Sequence, residues 1–234
     1  CPDLFRSGDY WYLLYTREVQ NIRRSKDILG PYRPCEPFAL DGRILCGKRM
    51  FDGKRHIYVA PLGDGMMTQP RELYAGPAGQ LFQRPLAEVT AFFQKTLHQF
   101  EQARDVAEGF VLPTPGNYML QCSVRMDPQA TLTITMRQQP DGGDFRSFVL
   151  RPRNQDVNFG GPGGRESRRC PLDAGKAITF QAFVQDSTIE CFVNDQYAFT
   201  FGAKNYPKCS LSFKVDGGKA EVLELTVKTR QPHE

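Results

Sequence analysis

Apolar and polar residues alternate in short runs through the first part of the chain, and turn residues separate the runs. Asp9-Tyr10-Trp11-Tyr12-Leu13-Leu14-Tyr15-Thr16 is aromatic and aliphatic behind a Gly-Asp start, the pattern of a turn entering a buried strand. Ile22-Arg23-Arg24-Ser25 alternates as a second strand, closed by Leu29-Gly30-Pro31-Tyr32. A third strand is expected over Arg43 to Phe51, ending at Asp52-Gly53, and a fourth over His56 to Ala60. Gln69 to Tyr74 and Leu81 to Pro85, joined by Pro77-Ala78-Gly79-Gln80, read as one more hairpin. Short antiparallel strands at this spacing suit propeller blades or a sandwich, and no strand alternates with a helix as βαβ units require.

At Pro85 the period changes. Leu86, Val89, Phe93, Leu97 and Phe100 fall on one face of a helix, with Pro85 suited to its first position. That predicts a connecting helix whose apolar side faces a core or a domain interface. Beyond the charged stretch Glu101 to Glu108 the chain reads as strands only: Tyr118–Arg125, Thr131–Arg137, Phe145–Arg151, Ala177–Gln185, Thr188–Val193, Ser210–Val215 and Val222–Thr229. Asp127-Pro128, Asp141-Gly142-Gly143, Gly160 to Gly164, Asn194-Asp195 and Asp216-Gly217-Gly218 supply the turns. Seven short strands in about 125 residues fit a two-sheet sandwich. The expected architecture is all-β, with a first domain over 1–104 that includes the helix and a β-sandwich over 105–234.

Composition narrows the function classes. With 40% hydrophobic and 24% charged residues in 234, the chain is globular and long enough for real cores. No apolar run approaches the roughly 18 to 20 residues of a membrane-spanning helix. The net charge of +4 is spread along the sequence, without the basic stripe that nucleic acid requires. The densest basic cluster, Arg165, Arg168 and Arg169, sits beside a Gly-rich stretch expected to be a solvated, flexible loop. That stretch is not a phosphate loop, because no Lys-Ser/Thr pair and helix follow it. The 7 cysteines form no CxxC pair and are odd in number, and several lie in apolar runs, so a reducing, cytoplasmic setting is expected, secretion remaining open. An N-terminal Cys is also what a processed lipoprotein carries, but the residues after Cys1 read as a strand and not as a tether. The 3 histidines, His56, His98 and His233, form no metal spacing and no triad, so neither metal nor cofactor is expected.

Cys1-Pro2-Asp3-Leu4-Phe5 resembles the strand of glycoside hydrolase family 32, the β-fructosidases, in which Glu-Cys-Pro-Asp carries the general acid/base. The likeness extends in order along the chain. Leu40-Asp41-Gly42 with Gly47-Lys48-Arg49-Met50-Phe51-Asp52 is similar to a family segment near the aglycone side of the pocket, and Gln69-Pro70-Arg71-Glu72-Leu73 to the strand that closes the last blade. Leu81 to Val89 resembles the exit from the propeller. Asp186-Ser187-Thr188-Ile189-Glu190-Cys191-Phe192-Val193-Asn194-Asp195 resembles a family sandwich hairpin, and this is the most specific match. The chain also departs from the pattern. Cys46-Gly47 replaces an aromatic-small pair, Arg49 stands where Thr is common, and Ser25 to Tyr32 is closer to the related family 43 enzymes, so the substrate need not be fructan.

The resemblance implies the last blades of a five-bladed propeller followed by a β-sandwich, acting on fructosides or related furanoside glycans. Retaining hydrolysis needs two carboxyl groups about 5 to 5.5 Å apart. The resemblance puts the acid/base immediately before Cys1 and the nucleophile on the first blade, so no catalytic residue is expected within the chain. A preceding propeller segment or a second chain would complete the site. Cys1, Asp3, Asp41 and Lys48 are the candidate substrate-side residues. Asp3 would orient the acid or merely cap the strand; Asp41 would bind a sugar hydroxyl or form a turn; Lys48 would meet the leaving group or be a solvated cation. Trp11, Tyr12 and Tyr15 could stack on sugars but suit the core of a blade better, and Glu72 and Glu88 suit structural roles. The other reading is a carbohydrate-binding or structural protein that keeps the scaffold without catalysis.

Overall fold

The computed structural model describes residues 2–42, 44–62 and 65–231, and of Phe38 the backbone alone. Cys1, Arg43 and His233, three residues of the preceding expectations, lie outside the described residues. The chain is nearly all β, as expected, and divides into two compact units. One holds Cys1–Thr90 with Asp195–Thr200, the other Ala91–Asn194 with Phe201–Glu234.

The first unit is built from two four-stranded antiparallel meanders. One runs through β1 (Asp3–Ser7), β2 (Tyr10–Arg17), β3 (Val19–Ser25) and β4 (Arg33–Ala39) in chain order. The other runs through β5 (Lys48–Phe51), β6 (His56–Val59), β7 (Arg71–Ala75) and β8 (Leu81–Pro85). Each strand pairs with its neighbour in sequence, as a propeller blade requires. The period-2 pattern of the sequence is visible in burial. Tyr12 and Leu14 of β2 point inward, and with Phe5, Ile22, Leu40, Ile44, Tyr58, Leu73 and Leu81 they form one core drawn from both meanders. β4 escaped the sequence reading because it contains Pro34 and Pro37, and it occupies a sheet edge, where a missing N–H costs no ladder bond. The strand expected over Arg43 to Phe51 is confined to Lys48–Phe51.

The connecting helix is much shorter than its periodicity suggests. The helix α1 covers Ala87–Ala91, and Lys95–Phe100 is a strand, β9, paired antiparallel with β21 (Ala220–Thr229). Two causes misled the pattern. A register shift lets His98 face Val227 and Thr96 face Lys228, leaving Leu97 without an opposite residue, and a bulge of this kind breaks strict alternation. An isolated helix long enough to carry Leu97 and Phe100 would also have to repay a costly nucleus, whereas the sheet offers a ladder already in place.

The second unit contains two sheets. One has the order β10 (Arg104–Asp105), β21, β12 (Tyr118–Met126), β17 (Ile178–Gln185), β18 (Thr188–Val193) and β19 (Tyr197–Gly202, of which Tyr197–Thr200 group with the first unit), with β9 also on β21. The other has β11 (Phe110–Pro115), β20 (Lys208–Asp216), β13 (Thr131–Gln138), β14 (Arg146–Arg151), β15 (Asp156–Gly161) and β16 (Gly164–Arg169). Phe148 of β14 lies 5.1 Å from Phe180 of β17 by ring centroids, so the two sheets meet face to face as a sandwich. The Gly-rich stretch is the tight turn of the β15–β16 hairpin, not a loose loop. Gly161 pairs with Gly164, and Gly160 and Gly164 adopt φ of 141° and 147°, open to glycine and little else. The arginine cluster therefore lies along β16, an edge strand, where charge discourages pairing with another chain.

Candidate functional site

Asp3 opens β1 and Lys48-Arg49 opens β5, the first strands of the two meanders, and side-chain hydrogen bonds hold these two openings together. The Arg49 backbone N–H donates to Asp3 Oδ2 at 3.1 Å, and the Arg49 guanidinium reaches Asp3 Oδ1 at 3.5 Å. One residue thus holds both oxygens of the carboxylate. Successive side chains of a strand point to opposite faces, so the exposed Lys48 projects away from the face on which Arg49 meets Asp3.

The turn leading into β5 is fastened by side chains of β2 and β3. Cys46 N–H donates to Thr16 Oγ1 at 3.0 Å, Gly47 N–H to Gln20 Oε1 at 3.2 Å, and Thr16 Oγ1 to the same Gln20 oxygen at 3.2 Å. With the Asp3 bond, the amides of Cys46, Gly47 and Arg49 all end on side-chain acceptors of the first meander. Cys46 sits at φ 52°, and Gly47 packs so closely that an added Cβ would lie 2.0 Å from Tyr58 Oη. Tyr58 is buried with no partner for its hydroxyl among the described residues, and burial raises its pKa well above the ordinary tyrosine range. Gln20 Nε2 is likewise buried without a partner among the described residues.

Behind Arg49 stands His56. Its Nε2 lies 2.9 Å from the Arg6 carbonyl and must donate to it, which leaves Nδ1 to accept from Arg49 Nη1 at 3.3 Å. The neutral Nε2–H tautomer satisfies both. The ring packs between Phe5 and Phe51, at 4.8 and 5.0 Å by centroids. Burial lowers the His56 pKa below 6.5, opposed by the bond to Arg6 and assisted by the Arg49 charge.

Asp41 belongs to a second, fully buried set of side chains. Its side chain and that of Arg71 are both 0% exposed and form an ion pair at 3.1 Å. Thr200 donates to Asp41 through Oγ1 at 2.6 Å and through its backbone N–H at 3.2 Å, while the same hydroxyl accepts from Arg71 Nη2 at 2.7 Å. Arg71 also donates to Gln83 Oε1 at 3.1 Å, and Gln83 Nε2 donates to the Leu40 carbonyl. Buried charges persist where they are paired and hydrogen-bonded in this way, and the Asp41 carboxylate is closed to solvent.

The remaining candidates have structural partners. Tyr12 is core, its hydroxyl 3.1 Å from the Gly79 carbonyl, and Tyr15 receives a bond from Arg23 Nε at 3.2 Å. Glu72 pairs with Arg84, and Glu88 with Arg55. His98 meets the Pro113 carbonyl at 2.7 Å. Among the described residues no group of histidine, cysteine, aspartate or glutamate is arranged to hold a metal, and no helix is long and apolar enough to cross a membrane. The sandwich hairpin from Asp186 is also structural. Arg137, buried and at φ 52°, donates to the carbonyls of Gly116, Asp186 and Lys204 and to Asn117 Oδ1, and Asn194 and Asp195 both take φ of 54° in the turn after β18. Arg49, His56, Arg71 and Arg137 were not legible as partners in the sequence. The one available signal was Arg49 itself, a cation where the resembling pattern carries Thr.

No family profile matches the chain. Among curated proteins it is similar to sucrose-6-phosphate hydrolase of Escherichia coli, 25% identical over 246 residues that cover 89% of this chain and 50% of that protein. The chain thus spans about half the length of this relative. Among solved structures it is similar to fructan 1-exohydrolase IIa from Cichorium intybus, with TM-score 0.74 and 14% identity over 99% of this chain and 61% of that one. It is also similar to the exo-inulinase of Aspergillus awamori, with TM-score 0.75 and 12% identity, covering 99% and 56%. A family 32 β-fructofuranosidase of Bombyx mori gives 0.73 and 14%, covering 99% and 54%. The fold is that of the C-terminal part of these family 32 enzymes.

Proposed function

We propose that this chain is the C-terminal part of a glycoside hydrolase that cleaves O-glycosidic bonds of fructosides or related furanoside glycans. A preceding propeller segment, or a second chain, would supply the rest of the site. The observation that carries the reading is the sequence likeness to sucrose-6-phosphate hydrolase over 89% of this chain, and the Asp3 carboxylate joined to Arg49 of β5 is in keeping with it. In this reading a carboxyl group immediately before Cys1 protonates the leaving oxygen, and a second carboxylate about 5 to 5.5 Å away attacks the anomeric carbon. Asp3 fixes the chain just after the acid. Lys48, exposed at the start of β5, meets the leaving group and favours the ionised acid after proton transfer. In this reading Asp41 is left out of the sugar site, because its carboxylate is buried against Arg71 and Thr200. The free cysteines suit a reducing, cytoplasmic setting.

The test is the residue encoded before Cys1. If it is Glu, replacement by Gln should lower kcat on sucrose or fructan by at least about 100-fold. Undiminished hydrolysis would sink the proposal. Calorimetric binding of fructosides by the intact wild-type protein without turnover would favour the carbohydrate-binding alternative.

A further inference from the structure

We infer that Arg49 is a positioning residue for the acid end of the site, acting through Asp3, with His56 as its brace. The inference rests on the fructosidase reading above and adds to it a residue at which the chain departs from the resembling pattern. Three features of the geometry carry it. Arg49 grips both oxygens of Asp3, one through its backbone and one through its guanidinium, so Asp3 is fixed in direction as well as place. The guanidinium lies over the Phe5 ring at 4.8 Å, which ties it to the same strand that Asp3 opens. The neutral ring of His56 accepts from Nη1 and is itself pinned to the Arg6 carbonyl, so the guanidinium has little room to turn.

The charged groups acting on His56 are Arg49 on its own hairpin, Asp3 on β1 and Asp52 in the turn after β5. Among the described residues Arg49 alone reaches both His56 and Asp3 with hydrogen bonds. The consequence for chemistry is electrostatic as well as steric. A carboxylate a few residues from the acid would raise the acid's pKa by like charge, and Arg49 offsets that charge. Arg49 therefore sets both where the acid stands and the pH at which it loses its proton.

The experiment uses the intact protein with Arg49→Met, Arg49→Lys and Asp3→Asn, each checked for an unchanged melting profile. Arg49→Met should lower kcat by about 10- to 100-fold with KM within about threefold, because displacement of a reacting group by about 1 Å costs up to that much. The basic limb of its kcat/KM profile should move to higher pH, since the acid holds its proton longer beside an unneutralised Asp3. Arg49→Lys, which keeps the charge, should return the limb towards its wild-type position. A purely structural role would move none of these in this way. By NMR, the His56 pKa should rise in Arg49→Met and fall in Asp3→Asn, as expected when a cation and an anion respectively are removed. Wild-type kcat and an unmoved limb in Arg49→Met would overturn the inference and leave the fructosidase reading intact. Absence of fructoside hydrolysis by the wild type would overturn that reading. His56 titrations that stay put in both variants would overturn the bracing whatever the protein hydrolyses.

Discussion

At the scale of single residues, the positions that matter most are those whose neighbours leave no alternative. Gly47 is one, because any side chain would run into Tyr58. Gly47→Ala should cost about 1 to 3 kcal/mol in urea unfolding, the usual range for overpacking a filled site. Tyr58→Phe removes a buried hydroxyl that has no partner among the described residues, so it should cost no more than about 0.5 kcal/mol and can raise stability by about 1 to 3 kcal/mol. A larger loss would reveal a water bonded to that hydroxyl. Arg71 differs because its charge is committed. Arg71→Met leaves the Asp41 carboxylate buried without its countercharge and should destabilise by about 3 to 5 kcal/mol. His56 gives a pH signature with a definite sign. Its folded pKa is lowered, so below about 6.5 the unfolded chain binds a proton that the folded chain refuses. This contribution is fully present above pH 6.5 and is lost as the pH falls, and the slope should diminish in His56→Phe when denaturation is measured from pH 7.5 to 5.

At the scale of elements, most strands could be read from alternation and turn chemistry, and the exceptions have physical causes. β2, β12, β17 and β18 present regular apolar runs between recognisable turns. β4 hides its extended character behind two prolines that only an edge accepts, and β16 hides its own behind glycines and charges. β9 imitates a helix because its bulge at Leu97 shifts the alternation by one residue. Hydrogen exchange should show the difference directly. Amides of Lys95–Phe100 bonded to β21 should be protected and their neighbours not, in place of the continuous protection of a helix. The hairpin from Asp186 was the most specific resemblance in the sequence, yet its geometry serves the sandwich. Arg137→Met leaves three loop carbonyls without their donor and should cost about 3 kcal/mol or more, read as a lowered melting temperature.

At the scale of the whole molecule, two units built on the same alternating pattern differ in what they hold. The first joins Asp3 of β1, Arg49 of β5 and His56 of β6 in one hydrogen-bonded cluster, and the second is a packed sandwich. The cysteines follow the packing. Cys35, Cys122, Cys170, Cys191 and Cys209 are buried, and burial pushes the Cys35 thiol up to about 11 and those of Cys122 and Cys170 further still. Cys46 alone is exposed among the described cysteines. Thiol labelling of the native protein should therefore modify Cys46 ahead of those five, which should react only after denaturation; rapid native labelling of Cys122 would contradict the packing.

The sequence by itself determined the all-β class, the places of most strands and turns, and the resemblance to the C-terminal part of the β-fructosidases. These follow from two-residue alternation, turn residues and short motifs, which are properties of neighbours along the chain. Only the tertiary structure decided which charges are buried and which residue holds which. Asp41-Gly42 was legible as a turn or a sugar ligand, but its partner Thr200 stands 159 residues away, and nothing local marks that pairing. Asp3 and Arg49 are 46 residues apart. Burying a charge is tolerated only where folding brings its partner, so the role of a charged residue is set by distant segments, whereas the period of a strand is set by the strand itself.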